Sequence, residues 1–133
     1  MSTKQPPTST TNSHKQLAQS FLRQCAAGKA RDAFRAHAAP NLRHHNPYFR
    51  GDVQTLAAAM DDNAAQSPDK VFEIQRALED GDLVAVHSRV RMKPGDPDIA
   101  VVHILRFDGD RVAELWDIAT LVPKDSPNQN GMF

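Results

Sequence analysis

From residue 70 onward the apolar residues change their spacing, and this change most constrains what the chain can fold into. Four runs follow in which apolar and polar residues alternate: VFEIQRAL, LVAVHSRVRM, IAVVHILRF and VAELWDIATLV. They are separated by Asp-Gly-Asp, Lys-Pro-Gly-Asp-Pro-Asp and Asp-Gly-Asp, which are turn signals with glycine available for a positive φ. Alternation with turns at this spacing predicts a four-stranded antiparallel meander. Before residue 70 the apolar residues instead recur every three or four positions, the period of an amphipathic helix. Helices followed by strands form an α+β chain, in which the helices must cover one face of the sheet.

Three helices are expected. Ser13 and Gln16 have the form of a capping box, and Leu17, Phe21 and Cys25 with Ala18 and Leu22 then make a stripe that ends at Gly28. Ala30, Ala33, Phe34, His37 and Ala38 mark a second, shorter helix stopped by Pro40, with His37 at the edge of its apolar face. Asp52 can cap a third, with Val53, Leu56, Ala57 and Met60 inward and Ser67-Pro68 at its end. Between the second and third, NLRHHNPYFRG has no helical period and contains Asn46-Pro47, so it is expected as a short extended piece and a turn.

A length of 133 residues suits one domain with one core. The expected division is a disordered leader over residues 1–13 and a single domain over 14–133. Sixteen basic and sixteen acidic side chains, scattered rather than blocked, give no net charge. That removes the long-range attraction on which non-specific nucleic-acid and anionic-membrane binding depend, so neither is expected as a partner. One cysteine excludes an internal disulfide and a cysteine-rich zinc site. With no signal-peptide pattern and no apolar run of membrane-spanning length, the expectation is a cytoplasmic protein. No nucleotide-binding, serine-hydrolase or zincin motif is present.

The last two runs each carry a polar residue where a core residue is expected, His103 and Asp117. Which face each occupies depends on the length of the loop between them. If Asp108, Gly109 and Asp110 form a three-residue loop, Phe107 pairs with Arg111, His103 lies opposite Leu115 and Asp117 opposite Val101. The two are then diagonal neighbours on one face, roughly 5 to 8 Å apart. A two-residue turn separates them. The shared face also carries Val101, Leu105, Phe107, Ala113 and Leu115, an apolar wall on which a carboxylate loses solvation and its pKa rises unless the imidazole or a ligand compensates. A general base near neutrality can be built in this way. Leu105 and Leu115 are expected to line the ligand site beside the pair.

The other face, with Val102, Ile104, Val112, Trp116 and Ile118, is also apolar, and a sheet apolar on both sides with few helices suggests a homodimer through that face. His44 and His45 are adjacent, so only one can face a pocket; His45 is the candidate. His87 joins His103 if Val90 pairs with Ala100, and turns outward if the register shifts by one. No spacing fixes His45, His87, His103 and Asp117 as a ligand set, and no metal or other cofactor is expected.

The order helix, helix, HNP, helix, meander, with HHNPYFRG, VVHILRFDGDRVAELWD and the terminal NGMF, resembles the SnoaL-like polyketide cyclase branch of the nuclear transport factor 2-like superfamily over about residues 14–133. The resemblance implies a cone of three helices on a curved antiparallel sheet, enclosing a pocket. It implies cofactor-free aldol chemistry with Asp117 as acid/base and His103 beside it, and places His45 and Asn46 at the pocket rim. The expected function is acid/base work on a small carbonyl compound, by aldol condensation, cyclisation or isomerisation. The alternative is a ligand-binding or dimerisation module that keeps the cone without the chemistry.

Overall fold

The computed structural model describes residues 13–133. The rest of the expected leader lies outside them, and Ser13 itself belongs to the first helix as its cap. In chain order the elements are α1 (His14–Ala26), α2 (Ala30–His37), β1 (Ala38–His45), α3 (Val53–Gln66), β2 (Val71–Asp80), β3 (Leu83–Arg91), β4 (Ile99–Asp108) and β5 (Arg111–Leu121). Three helices and a strand-rich second half follow the change of period. Among the described residues no helix is long and apolar enough to cross a membrane.

Local chemistry accounts for the helix ends. The Ser13 hydroxyl accepts from the Gln16 backbone N–H at 3.1 Å while the Gln16 side chain accepts from the Ser13 N–H at 3.0 Å, so the capping box is complete. Asp52 caps α3 by accepting from the N–H of Thr55 at 2.8 Å. The start of α2 has no side-chain cap of its own. Asp61 on α3 supplies one, accepting from the N–H groups of Ala30 at 2.6 Å and Arg31 at 3.2 Å. Gly28 takes φ 86° in the turn between α1 and α2, a left-handed conformation that glycine adopts without strain, and the turn lies beside Ala64 of α3.

The sheet has five strands in the order β1-β5-β4-β3-β2. Two corrections to the expected meander follow. The segment expected as a short extended piece is a full strand, β1, and it pairs parallel to β5, so the sheet is mixed rather than wholly antiparallel. Pro40 and the irregular register between Ala38 and Arg43 obscure it in the sequence, but both are tolerated because β1 is an edge strand. The second correction concerns the β4–β5 hairpin. Its loop has two residues, Gly109 with φ 60° and Asp110, between paired Asp108 and Arg111. A bulge follows at once: Phe107 pairs with Val112 and Arg106 with Glu114, leaving Ala113 as an extra residue. Val112 therefore turns into the core, 1% exposed, instead of onto the outer face.

The helices cover one sheet face. Phe21, Leu22, Phe34 and Leu56 from the helices meet Val84, Val86, Leu105, Phe107, Val112 and Leu115 from the strands in one continuous core. Because Asp61 caps α2 from a neighbouring helix, Asp61→Ala removes a cap and a helix–helix tie together. It should lower unfolding free energy by about 1–2 kcal/mol, and Asp61→Asn by less. Urea denaturation of the two variants checks this.

Candidate active site

The bulge at Ala113 decides the geometry of the site. A two-residue turn alone sets His103 and Asp117 on opposite faces; the extra residue restores the parity and puts them directly opposite one another on β4 and β5. Both project to the helix-covered face. His103 Nε2 lies 3.7 Å from Asp117 Oδ1, an ion-pair separation beyond hydrogen-bond range. The hydrogen bond to Asp117 comes from elsewhere: the Asn46 side-chain amide donates to Oδ2 at 2.9 Å.

Asn46 is held from both sides. Its carbonyl oxygen accepts from the Tyr48 N–H at 3.0 Å, which turns the NH₂ toward Asp117, and its own N–H donates to His44 Nδ1 at 3.2 Å. His44 Nε2 in turn donates to the Arg50 carbonyl at 2.6 Å. One buried imidazole thus ties both ends of the loop that carries Asn46 and Phe49. His44 occupies the inward position of β1 beside Leu115, and His45 the outward one. The candidate His45 is thereby corrected: its ring stacks on Trp116 at 5.0 Å and its Nε2 meets Glu114 Oε2 at 2.7 Å on the outer face. Strand alternation from the buried Leu42 would have pointed to His44, had β1 been recognised as a strand.

His87 also points outward. Val90 pairs with Ile99 rather than Ala100, and this one-residue difference turns His87 to the outer face. There it accepts a hydrogen bond from Arg76 and stacks on Phe133 at 5.8 Å. Ser88 takes the inward position, fully buried. Its Oγ and His103 Nδ1 are buried without a hydrogen-bond partner among the described residues. Leu105 and Leu115 share the face of His103 and Asp117 but are core residues, 0% and 1% exposed, and do not line the cavity. No three His, Cys, Asp or Glu side chains among the described residues gather as a metal-holding group.

The cavity itself has a volume of about 240 Å³. Its apolar lining comes from Leu22 and Ala26 of α1, Leu56, Ala59 and Met60 of α3, and Phe72, Val90 and Val101 of the sheet. His103, Asp117 and Asn46 form one polar group in this lining, and Lys70 and Asn63 form another that the sequence had not revealed. Lys70 Nζ donates to Asn63 Oδ1 at 2.7 Å, and burial pulls its pKa below the usual lysine value. Cys25 also lines the cavity; burial, reinforced by the Asp61 charge, pushes its thiol up to about 12, so it is neutral at ordinary pH.

Burial is the largest influence on Asp117 and pushes its pKa up, as the apolar wall leads one to expect. The neighbouring imidazole of His103, the Asn46 hydrogen bond and the nearby His44 together outweigh it, and the carboxyl lies below its ordinary value. The compensation by the imidazole that the sequence reading allows for is present, and it holds the carboxyl below rather than above its ordinary value.

The matching family model is the SnoaL-like domain, over residues 18–115. The chain belongs to this family. The match stops two residues before Asp117, so it bears on the fold and on His103 but not on the carboxylate. No curated protein matches the sequence. Among solved structures, AclR, a candidate hydroxylase from Streptomyces galilaeus, is similar with a TM-score of 0.67 and 18% identity over 80% of this chain and 88% of that one. IdmH, a candidate polyketide cyclase from Streptomyces antibioticus, gives 0.66 and 17% over 81% and 92%. A candidate isomerase of the SnoaL-like family from Agrobacterium tumefaciens gives 0.64 and 17% over 80% and 97%. Three differently described chemistries on one backbone make this a likeness of fold.

The lowered pKa has a consequence for stability. A carboxyl depressed on folding stabilises the native state fully above its unfolded pKa of about 3.9, and that contribution disappears as pH falls through the lower folded value. Native protein and Asp117→Asn should therefore differ in stability by a constant amount above about pH 5, and the native protein's relative advantage should shrink below about pH 4. Denaturant titrations across that range test the sign.

Proposed function

We propose that the chain is a cofactor-independent acid/base enzyme acting on a small carbonyl compound in the cavity of a cone-shaped fold, with Asp117 as proton acceptor. The observation that carries this is the Asp117 carboxylate on an otherwise largely apolar cavity wall, oriented by the Asn46 amide and faced by His103. A carboxylate with a depressed pKa is a weak base, so the C–H bond it breaks must already be acidic, as between two carbonyl groups. Asp117 takes that proton and the C–H electron pair moves onto the carbonyl oxygen as an enolate. His103 supplies a hydrogen bond or proton to that oxygen. Attack of the enolate carbon on a second carbonyl of the same molecule, whose π electrons move to its oxygen and take up the proton that Asp117 removed, is an aldol cyclisation; return of that proton to a different carbon is an isomerisation.

Isotope exchange from deuterated water into a panel of β-diketones tests the chemistry directly. Native protein should catalyse exchange at the carbon between the carbonyls, and Asp117→Asn should lose about a hundredfold or more of that rate, the scale for removing a positioned general base. Exchange that survives the substitution removes Asp117 from the role. No exchange by native protein across the panel leaves a binding module.

The proposal includes a cytoplasmic homodimer. Its support is the outer sheet face, where Val102 pairs with Ile118 and Ile104 with Trp116, and where Ile118 is 57% exposed. Apolar surface of this kind gains by burial against a second copy. Sedimentation at micromolar concentration should give about twice the 14.7 kDa chain mass, and Ile104→Arg should return it to that mass. A native protein that sediments as a monomer refutes the dimer.

A further inference from the structure

The cavity contains one cation that the proposed proton transfer does not use. Lys70 stands at the end of the Ser67–Lys70 turn, where its N–H donates to the Ser67 carbonyl at 3.0 Å and Pro68 occupies the second turn position. That turn delivers it to the first residues of β2, at the edge of the sheet. Asp117 is on β5, three strands away in the order β5-β4-β3-β2. Both side chains nonetheless line the same cavity.

An ammonium has three donors, and the structure accounts for one. Lys70 donates to Asn63 Oδ1 and has no ion-pair partner among the described residues. The neighbouring groups cannot act as a counter-ion. Cys25 is a neutral thiol. Asp61 is engaged by the Ala30 and Arg31 N–H groups and by the Arg31 guanidinium at 3.3 Å. Asn63 follows Leu56, Ala59 and Met60 along the inward side of α3, so its amide fixes the Lys70 head beside the cavity while offering no charge. A half-buried lysine tied to a neutral acceptor leaves two of its three donors for whatever enters the cavity.

We infer that Lys70, positioned by Asn63, is a recognition site for a carboxylate on the ligand, so that the cavity takes an elongated molecule with a carboxylate at one end and an acidic C–H at the other. The carboxylate seat stands on the Lys70 environment alone; its assignment to a β-dicarbonyl acid rests on the reading of Asp117 given above. One ammonium among apolar side chains matches a single negative charge, whereas a phosphate dianion would remain half-compensated. The burial that disfavours the Lys70 ammonium in the empty cavity is offset when the carboxylate arrives, so binding and the lysine's charge reinforce one another.

Hexanoate and hexanamide, alike in shape and different in charge, test the seat without requiring any catalysis. Nuclear magnetic resonance titration should show hexanoate shifting the Met60 methyl and Asn63 side-chain signals, with hexanamide binding at least about tenfold more weakly, the scale of a charge-assisted hydrogen bond. Lys70→Met should erase that preference and Lys70→Arg should keep it, with circular dichroism confirming the fold of both. Equal binding of acid and amide, a preference that survives Lys70→Met, or no binding of hexanoate at this cavity overturns the inference. The substrate class is read separately, from deuterium exchange into succinylacetone, a β-diketone with a terminal carboxylate, against its methyl ester. Preference for the acid, lost in Lys70→Met, supports the class. Equal exchange of acid and ester refutes it while leaving the Asp117 assignment standing, and hexanoate binding without any exchange preserves the seat while removing the catalytic reading.

Discussion

Side chains on a strand alternate with a period of two, so two polar residues on neighbouring strands can meet only if the turn and any bulge between them add to the right parity. In this protein Gly109-Asp110 is one residue shorter than the loop that would bring His103 and Asp117 to one face, and Ala113 supplies the missing residue a few positions later. The rest of the site inherits this arithmetic. It sets Asp117 against the Asn46 amide, turns Val112 into the core, and leaves Trp116 outward where His45 can stack on it. Bulges commonly re-aim side chains near functional sites, and this one determines whether a site exists.

Orientation at Asp117 comes at the expense of basicity. The same Asn46 hydrogen bond and imidazole that hold the carboxylate also stabilise its charge, and their combined pull exceeds the desolvation that would have made it a stronger base. The architecture therefore favours a fixed anion over a readily protonated one. Its rigidity has an identifiable source: His44, buried between the Asn46 N–H and the Arg50 carbonyl, closes the loop on itself.

What the sequence reveals of this arrangement follows from which interactions are local. The three helices, their two side-chain caps and the turn glycines depend on neighbours within a few residues, whereas the pairing of His103 with Asp117 needs a bulge at Ala113 that no sequence signal marks: the three-residue loop expected there reaches the same face by a different route. Residues whose placement depends on partners far along the chain were not legible. β1 lacks strand character because Pro40 interrupts it and its pairing partner is some seventy residues downstream, so nothing local distinguishes the inward His44 from His45. His87 and Ser88 exchange faces on a single step of register across the connection from Arg91 to Ile99. Lys70 lies where a turn meets a strand, with no pattern to separate it from an ordinary surface lysine; only the fold, which sets the end of α3 and the start of β2 around one cavity, reveals that it borders that cavity.

The parallel pairing of β1 with β5 also orders events in time. Arg43, His44 and His45 find their partners at Glu114, Leu115 and Trp116, and Asn46 finds Asp117, so the contacts that complete the site are among the most distant in the sequence. Loop closure over such separations is slow compared with forming helices or adjacent hairpins. On a ribosome, α1, α2 and α3 can form while β1 still presents an unpaired edge, and that edge is satisfied only after β5 has emerged. An open strand therefore persists until β5 is made, and a proline in an unpaired edge is a feature that discourages pairing with another chain.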